Sequence, residues 1–144
     1  MKTVVAAVIE RSDRRLLIGQ RRKNDTSPLK WEFPGGKVEA GETAEAALAR
    51  ELREELGATI RKSVAIGRVV HKYASTSEEL EILFYAVEMC EAEIVPNAFE
   101  TILWVLPREL GDYDFLAANA QLVANLATGR LKPSEILAAN TSNP

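Results

Sequence analysis

A chain of 144 residues, 47% hydrophobic and 27% charged, has the makeup of a single globular domain that buries a core without disulfides or a structural metal. The net charge of −3 argues against a general nucleic-acid binder, which would carry a basic face, and the lone Cys90 excludes an internal disulfide. No run approaches the roughly 18 apolar residues of a membrane span, and Val4 to Ile9 is too short for a secretion signal, so a cytoplasmic location is expected.

Thr3 to Ile9 reads as a buried strand ended by the turn pair Ser12-Asp13, and Leu16 to Gln20 as a returning strand, so residues 3–20 are expected to form a hairpin. Arg21 to Lys30 is polar and turn-rich, the pattern of a mobile loop. Trp31 to Phe33 is short and apolar, and Pro34-Gly35-Gly36 then forces a sharp turn. Thr43 is placed to cap a helix over Ala44 to Leu56, with Gly57 at its C-terminal end. Leu48, Leu52 and Leu56 recur every four residues and predict its core-facing stripe. Thr59 to Tyr73, Leu80 to Met89 and Thr101 to Val105 read as strands. Pro107 to Leu110 predicts a short helical turn and Ala117 to Ala127 a second helix, stopped by Gly129. Residues 131–144 read as a C-terminal tail whose last few residues are disordered. Strands interleaved with separated helices predict an α/β fold, a sheet between helices.

Chemistry concentrates between Gly36 and Ala58. On the predicted helix Glu51, Glu54 and Glu55 stand at i, i+3 and i+4, so all three project from one face, away from the leucine stripe and beside Ala44 and Ala47. Like charges so close are unfavourable alone, and the helix dipole disfavours them near a C-terminus. A hard divalent cation with oxygen ligands would offset both. The ordinary alternative, a solvated acidic helix, leaves the Gly-Gly turn at fixed distance unexplained.

The spacing of Gly36, Glu42, Arg50, Glu51, Leu52, Glu54, Glu55 and Gly57 resembles the signature of the Nudix hydrolases, with Ala58 smaller than the usual last aliphatic. The runs WEFPGGKVE (Trp31 to Glu39), ILWV (Ile102 to Val105) and DFLAAN (Asp114 to Asn119) are similar to the MutT branch, which removes oxidised nucleotides. This resemblance implies one Nudix domain over residues 1–144, with its box at 36–58, folded as an α/β/α sandwich around a mixed β-sheet. It also implies Mg²⁺, with Mn²⁺ as a substitute, held by the Gly35 carbonyl and by Glu51, Glu54 and Glu55. Arg50 would orient these carboxylates and Glu42 would brace the loop before the helix. The expected reaction splits a nucleoside triphosphate into monophosphate and pyrophosphate, with 8-oxo-dGTP favoured and CTP or 5-methyl-dCTP next. A Nudix fold kept for nucleotide binding without turnover is the competing class. The expected partners are the nucleotide alone, without polymeric nucleic acid or membrane, in a monomer or homodimer.

The proton acceptor stays open. The resemblance places an extra carboxylate in the loop before the Trp104 strand, but Ala98 stands at that position, leaving Glu100 or Glu54. For substrate, Lys37 and Arg22 are candidates for phosphate and Phe33 for the base. Asn119 offers a donor and an acceptor side by side, suited to the edge of a purine with an added N7 proton and oxygen, although a helix N-cap is its ordinary role. His71, Trp31 and Trp104 are expected to be structural, and Cys90 a core or surface residue.

Overall fold

The computed structural model describes residues 1–72, 78–90 and 94–140. Strand β1 (Lys2–Ile9) runs through the middle of the molecule, because its side chains are apolar on both faces. Val5, Ala7 and Ile9 point to one side and Ala6 and Val8 to the other, so one strand feeds two cores. It is hydrogen-bonded to β4 (Gly35–Lys37) antiparallel and to β6 (Glu79–Met89) parallel, while β5 (Ile60–Lys72) closes the sheet antiparallel to β6. A second, antiparallel sheet is ordered β3 (Trp31–Glu32), β2 (Leu16–Gln20), β7 (Thr101–Val105).

The expected hairpin over residues 3–20 does not form. Strands β1 and β2 enter different sheets, and the ladder beyond the Arg11–Arg15 turn stops at the isolated antiparallel bridge Glu10↔Leu16. A strand buried on both faces needs neighbours on both edges, and β4 and β6 supply them.

Helix α1 (Ala44–Leu56) covers one face. Thr43 caps it, its Oγ1 accepting the Ala46 N–H at 3.1 Å, and Gly57 ends it in the left-handed region at φ 66°. Leu48, Leu52 and Leu56 are fully buried against Val5, Ala7, Tyr85 and Val87. Each such leucine contributes about 1.5–3 kcal/mol of burial. Ala47 is also fully buried in this core, so it does not clear space beside the glutamates as expected.

The opposite face is covered by α2 (Ala120–Ala127) through Leu122 and Leu126, preceded by a 3₁₀ turn at Ala117–Asn119 rather than by one continuous helix. The segment read as a tail contains a third helix, α3 (Pro133–Ala139), with Pro133 in its first turn and Leu137 buried. Residues 141–144, where disorder was expected, lie outside the described residues, as does Tyr73, the last residue of the expected strand from Thr59. Helices on both faces of a mixed sheet make this an α/β/α sandwich. Among the described residues, no helix is long and apolar enough to cross a membrane.

Candidate active site

The glycines of β4 are small because two things approach them. A Cβ on Gly35 would collide with the Val5 carbonyl, and a Cβ on Gly36 with the carboxylate of Glu51. Strand β4 therefore lies flat between β1 and the acidic face of α1. The Gly35 N–H donates to Glu55 Oε1 at 3.1 Å.

Arg50 organises the rest. Its Nε and Nη2 grip the Glu42 carboxylate at 2.7 and 2.9 Å, Nη1 donates to Glu51 at 2.9 Å and to Glu54 at 3.3 Å, and Nη2 also donates to the Lys37 carbonyl at 2.9 Å. One guanidinium thus ties the loop, the strand and the helix together, as its planar fork permits. Glu42 Oε1 also accepts the Glu39 N–H, so Glu42 braces the loop. The Arg50 hydrogen bonds, helped by that N–H, hold the Glu42 carboxyl at about 2, well below its ordinary 4.5.

That depression carries a sign. A carboxyl whose folded pKa is lowered contributes stability above about pH 4.5, and the contribution is lost as pH falls toward 2. Glu42→Gln should therefore flatten the acid dependence of stability across that window. Urea melts from pH 2 to 6 read it directly, and a slope equal to wild type would show that the Glu42–Arg50 pair does not couple to folding.

The three carboxylates do not converge as the helical spacing alone suggested. Glu51 and Glu54 turn to Arg50, while Glu55 turns to Gly35, and among the described residues no three acidic, histidine or cysteine side chains are gathered closely enough to hold a metal ion. Their chemistry nonetheless fits one. All donors are oxygens, and among the described residues no cation pairs with Glu55. Burial pushes the Glu55 carboxyl up to about 8, against the Gly35 hydrogen bond, and Glu32, Glu51 and Glu54 add to the rise. A buried carboxyl held neutral among acids is a place a divalent cation would favour. The Gly35 carbonyl belongs to the same strand segment.

The last carbonyls of α1 are taken by the segment that follows β6. Val95 N–H donates to Leu56 at 2.9 Å, and Asn97 reaches Glu55 through its N–H at 2.9 Å and Glu54 through its side chain at 3.3 Å. Asn97 was not foreseen, since nothing local marks it. It seats Ala98 and Phe99 beside Glu55, and Gly19 leaves room for the Phe99 ring, which a Cβ would meet at 2.5 Å.

A cavity of roughly 550 Å³ opens from Glu55, Gly35 and Gly36 across an apolar floor of Val4, Ala6, Leu80 and Ile82 to Asn119. Asn119 is positioned by β3. Trp31 N–H donates to Asp114, Leu116 N–H donates back to Trp31, and the 3₁₀ turn follows. Phe115 thereby stacks on Phe33, centroids 5.4 Å apart. Asn119 is only 5% exposed and its side chain caps no helix, although it sits at the α2 N-cap. Phe33 is 3% exposed, a core ring that offers the cavity little more than an edge. Lys37 stands at the lip, and among the described residues its ammonium has no ion pair.

Two expected residues lie elsewhere. Arg22 is exposed and donates to the Asn97 carbonyl at 2.7 Å; its neighbour Arg21 lines the cavity instead. Glu100 is exposed just before β7, outside the cavity lining, while Ala98 is inside it. Glu32 is the carboxylate that sequence reasoning missed, and it also lines this space. Trp31 packs edge-on against Tyr113, and Arg11 lies over Trp104 at 4.8 Å.

A glycine strand laid against an arginine-clamped acidic helix thus borders a cavity of a size that takes a small-molecule ligand. The model of the NUDIX domain matches residues 1–126, and the chain belongs to that family, whose hydrolases need a divalent metal. It is 37% identical over 124 residues to a putative 8-oxo-dGTP diphosphatase 2 of Mycobacterium tuberculosis, covering 86% of each protein. It is 34% identical to the CTP pyrophosphohydrolase of Escherichia coli, over 94% of this chain and 98% of that one. Among solved structures it is similar to MutT from a study of Aliivibrio salmonicida and Vibrio cholerae, with a TM-score of 0.76 and 32% identity, over 89% of this chain and 98% of that one.

Proposed function

We propose that this enzyme hydrolyses a nucleoside triphosphate to monophosphate and pyrophosphate with Mg²⁺, Mn²⁺ substituting, and that 8-oxo-dGTP is its preferred substrate. Gly35, Glu51, Glu54 and Glu55 would hold the metal, which when bound supplies phosphate neutralisation and an acidified water. Arg50 orients the carboxylates, Lys37 reaches the phosphates, and the apolar floor excludes water from the base. Phosphoryl substitution asks mainly for positioning and charge stabilisation, so such a platform suffices. Of the two expected proton acceptors, Glu100 is exposed and Glu54 is 57% exposed against Arg50, and neither lines the cavity, which favours a carboxylate inside it as the acceptor.

The observation that carries the nucleobase is Asn119: a buried amide, spent on no helix cap, facing the cavity. Undamaged dGTP presents an acceptor at N7 where the oxidised base presents a donor. An amide satisfying one leaves unpaired groups against the other, at a cost of about 1–3 kcal/mol. Asn119→Ala should then narrow the preference for 8-oxo-dGTP over dGTP by roughly 5- to 150-fold in kcat/KM. Equal losses on both would reduce Asn119 to a packing role.

A second reading, CTP or 5-methyl-dCTP, is favoured by the near-complete overlap with the E. coli CTP pyrophosphohydrolase. An amide suits the cytosine edge as well. A panel of 8-oxo-dGTP, dGTP, CTP, 5-methyl-dCTP and UTP, with pyrophosphate release followed with and without Mg²⁺, separates the two. CTP outrunning every purine would replace the first reading with the second, and orthophosphate release would sink both.

A further inference from the structure

Arg21 opens the connection from β2 to β3 and spends its whole guanidinium on the protein. Nε donates to the Thr26 carbonyl at 2.6 Å, and Nη2 to Thr26 Oγ1 at 2.7 Å and Asp25 at 3.1 Å. Nη1 donates to both oxygens of Glu32, at 3.1 and 3.3 Å. The side chain is only 17% exposed. Main-chain bonds from Arg21 to Lys30 and from Leu29 to Arg21 close the base of the loop.

The two ends of this clamp differ. Glu32 is on a strand, its register set by pairing with Gly19, whereas Asp25 and Thr26 are on a loop. Asp25, Thr26, Ser27 and Glu32 all line the cavity that holds Asn119 and Glu55. The loop also contains Ser27 at φ 48° and Leu29 at φ 62°, left-handed conformations that L residues avoid. Such a loop keeps its shape only while something over-determines it. Burial raises the Glu32 carboxyl, and Arg21 beside it opposes that rise.

We propose that Arg21 is a positioning residue for substrate, which through Glu32 clamps residues 25–27 as a preformed wall of the nucleotide cavity and so sets affinity rather than the chemical step. The proposal rests on the cavity being the nucleotide site. A wall already ordered removes the cost of ordering it on binding. Lysine cannot replace the fork, because a point charge cannot serve a carboxylate, a carbonyl and a hydroxyl at once.

Arg21→Lys and Glu32→Gln, made in the full chain, test this with whichever triphosphate the wild type turns over fastest, at saturating Mg²⁺. Glu32→Gln keeps size and hydrogen-bonding atoms, so it guards against the loss of fold that an unpaired buried charge brings. Arg21→Lys should raise KM about tenfold with kcat within about twofold, and Glu32→Gln should do the same more weakly. Hydrogen exchange should quicken in residues 22–30 alone, with the melting temperature little changed. A purely structural pair would lower the melting temperature and leave KM fixed. Unchanged KM in both variants with quickened exchange overturns the clamp, as does a fall in kcat at constant KM. A wild type that turns over no triphosphate sinks the nucleotide reading and the clamp with it; a different preferred base leaves this test intact.

Discussion

Arg50→Ala should lower kcat about 10- to 100-fold, the usual loss when a group that orients metal-site carboxylates is removed, with little change in KM. The guanidinium holds Glu42, Glu51 and Glu54 and the Lys37 carbonyl, so its loss frees three carboxylates at once. Without it, Glu51 and Glu54 repel each other across a helical turn, and β4 loses the Lys37 bond to α1, keeping only the one from Gly35 to Glu55 among those described. The pairing is reciprocal, for the Glu42 and Glu51 hydrogen bonds hold the Arg50 pKa above its ordinary value. Arg50→Lys keeps the charge but cannot grip Glu42 through two nitrogens while reaching Glu51 and the carbonyl. It should recover less than a tenth of the wild-type rate. Steady-state kinetics over a range of Mg²⁺ concentrations separates two causes. A rate restored by excess Mg²⁺ would place the damage in metal affinity, and an unrestored rate in orientation. Near-wild-type kcat in both variants would refute the role.

The elements that were legible in the sequence are those decided locally. Thr43, the leucines and Gly57 specify α1 within fifteen residues, and the helix stands where they put it. Pairings across long separations were not legible. Strand β1 meets β6 some eighty residues on, so the nearest apolar strand, β2, looked like its partner. The helix at Pro133–Ala139 carried a signal that went unread, a proline suited to a first turn. In the site, the i, i+3, i+4 spacing correctly put three glutamates on one face. It could not say that Arg50, on the same face, would draw two of them away from the third. Trp31 and Phe33 both enter the core, so strand alternation turns Glu32 the other way, toward the cavity. That period was present in WEF and could have found it. The choice between Arg21 and Arg22 depends on the fold of a ten-residue loop, which no short pattern encodes.

Glu55→Gln should reduce Mg²⁺-dependent turnover at least about 100-fold while making the metal-free protein more stable at pH 8. Both effects follow from one carboxyl. Burial beside Glu32, Glu51 and Glu54 raises its folded pKa to about 8 from 4.5. A raised acid pKa means the folded state holds a proton that the unfolded state releases. The contribution of Glu55 to stability is therefore fully present below about pH 4.5 and declines as pH rises toward 8. The loss is on the order of a few kcal/mol. Glutamine stays neutral, accepts the Gly35 N–H as before, and should remove that decline. In the wild type, Mg²⁺ should remove it by another route, by binding the ionised carboxylate and stabilising the folded state by mass action. Thermal melts at pH 5 and pH 8, with Mg²⁺ or with chelator, give the four numbers needed. The wild type should melt lower at pH 8 than at pH 5 with chelator and recover with Mg²⁺; Glu55→Gln should show a smaller pH dependence and a smaller Mg²⁺ response. A variant that keeps the full Mg²⁺ stabilisation would remove Glu55 from the metal's ligands, even if its turnover were lost.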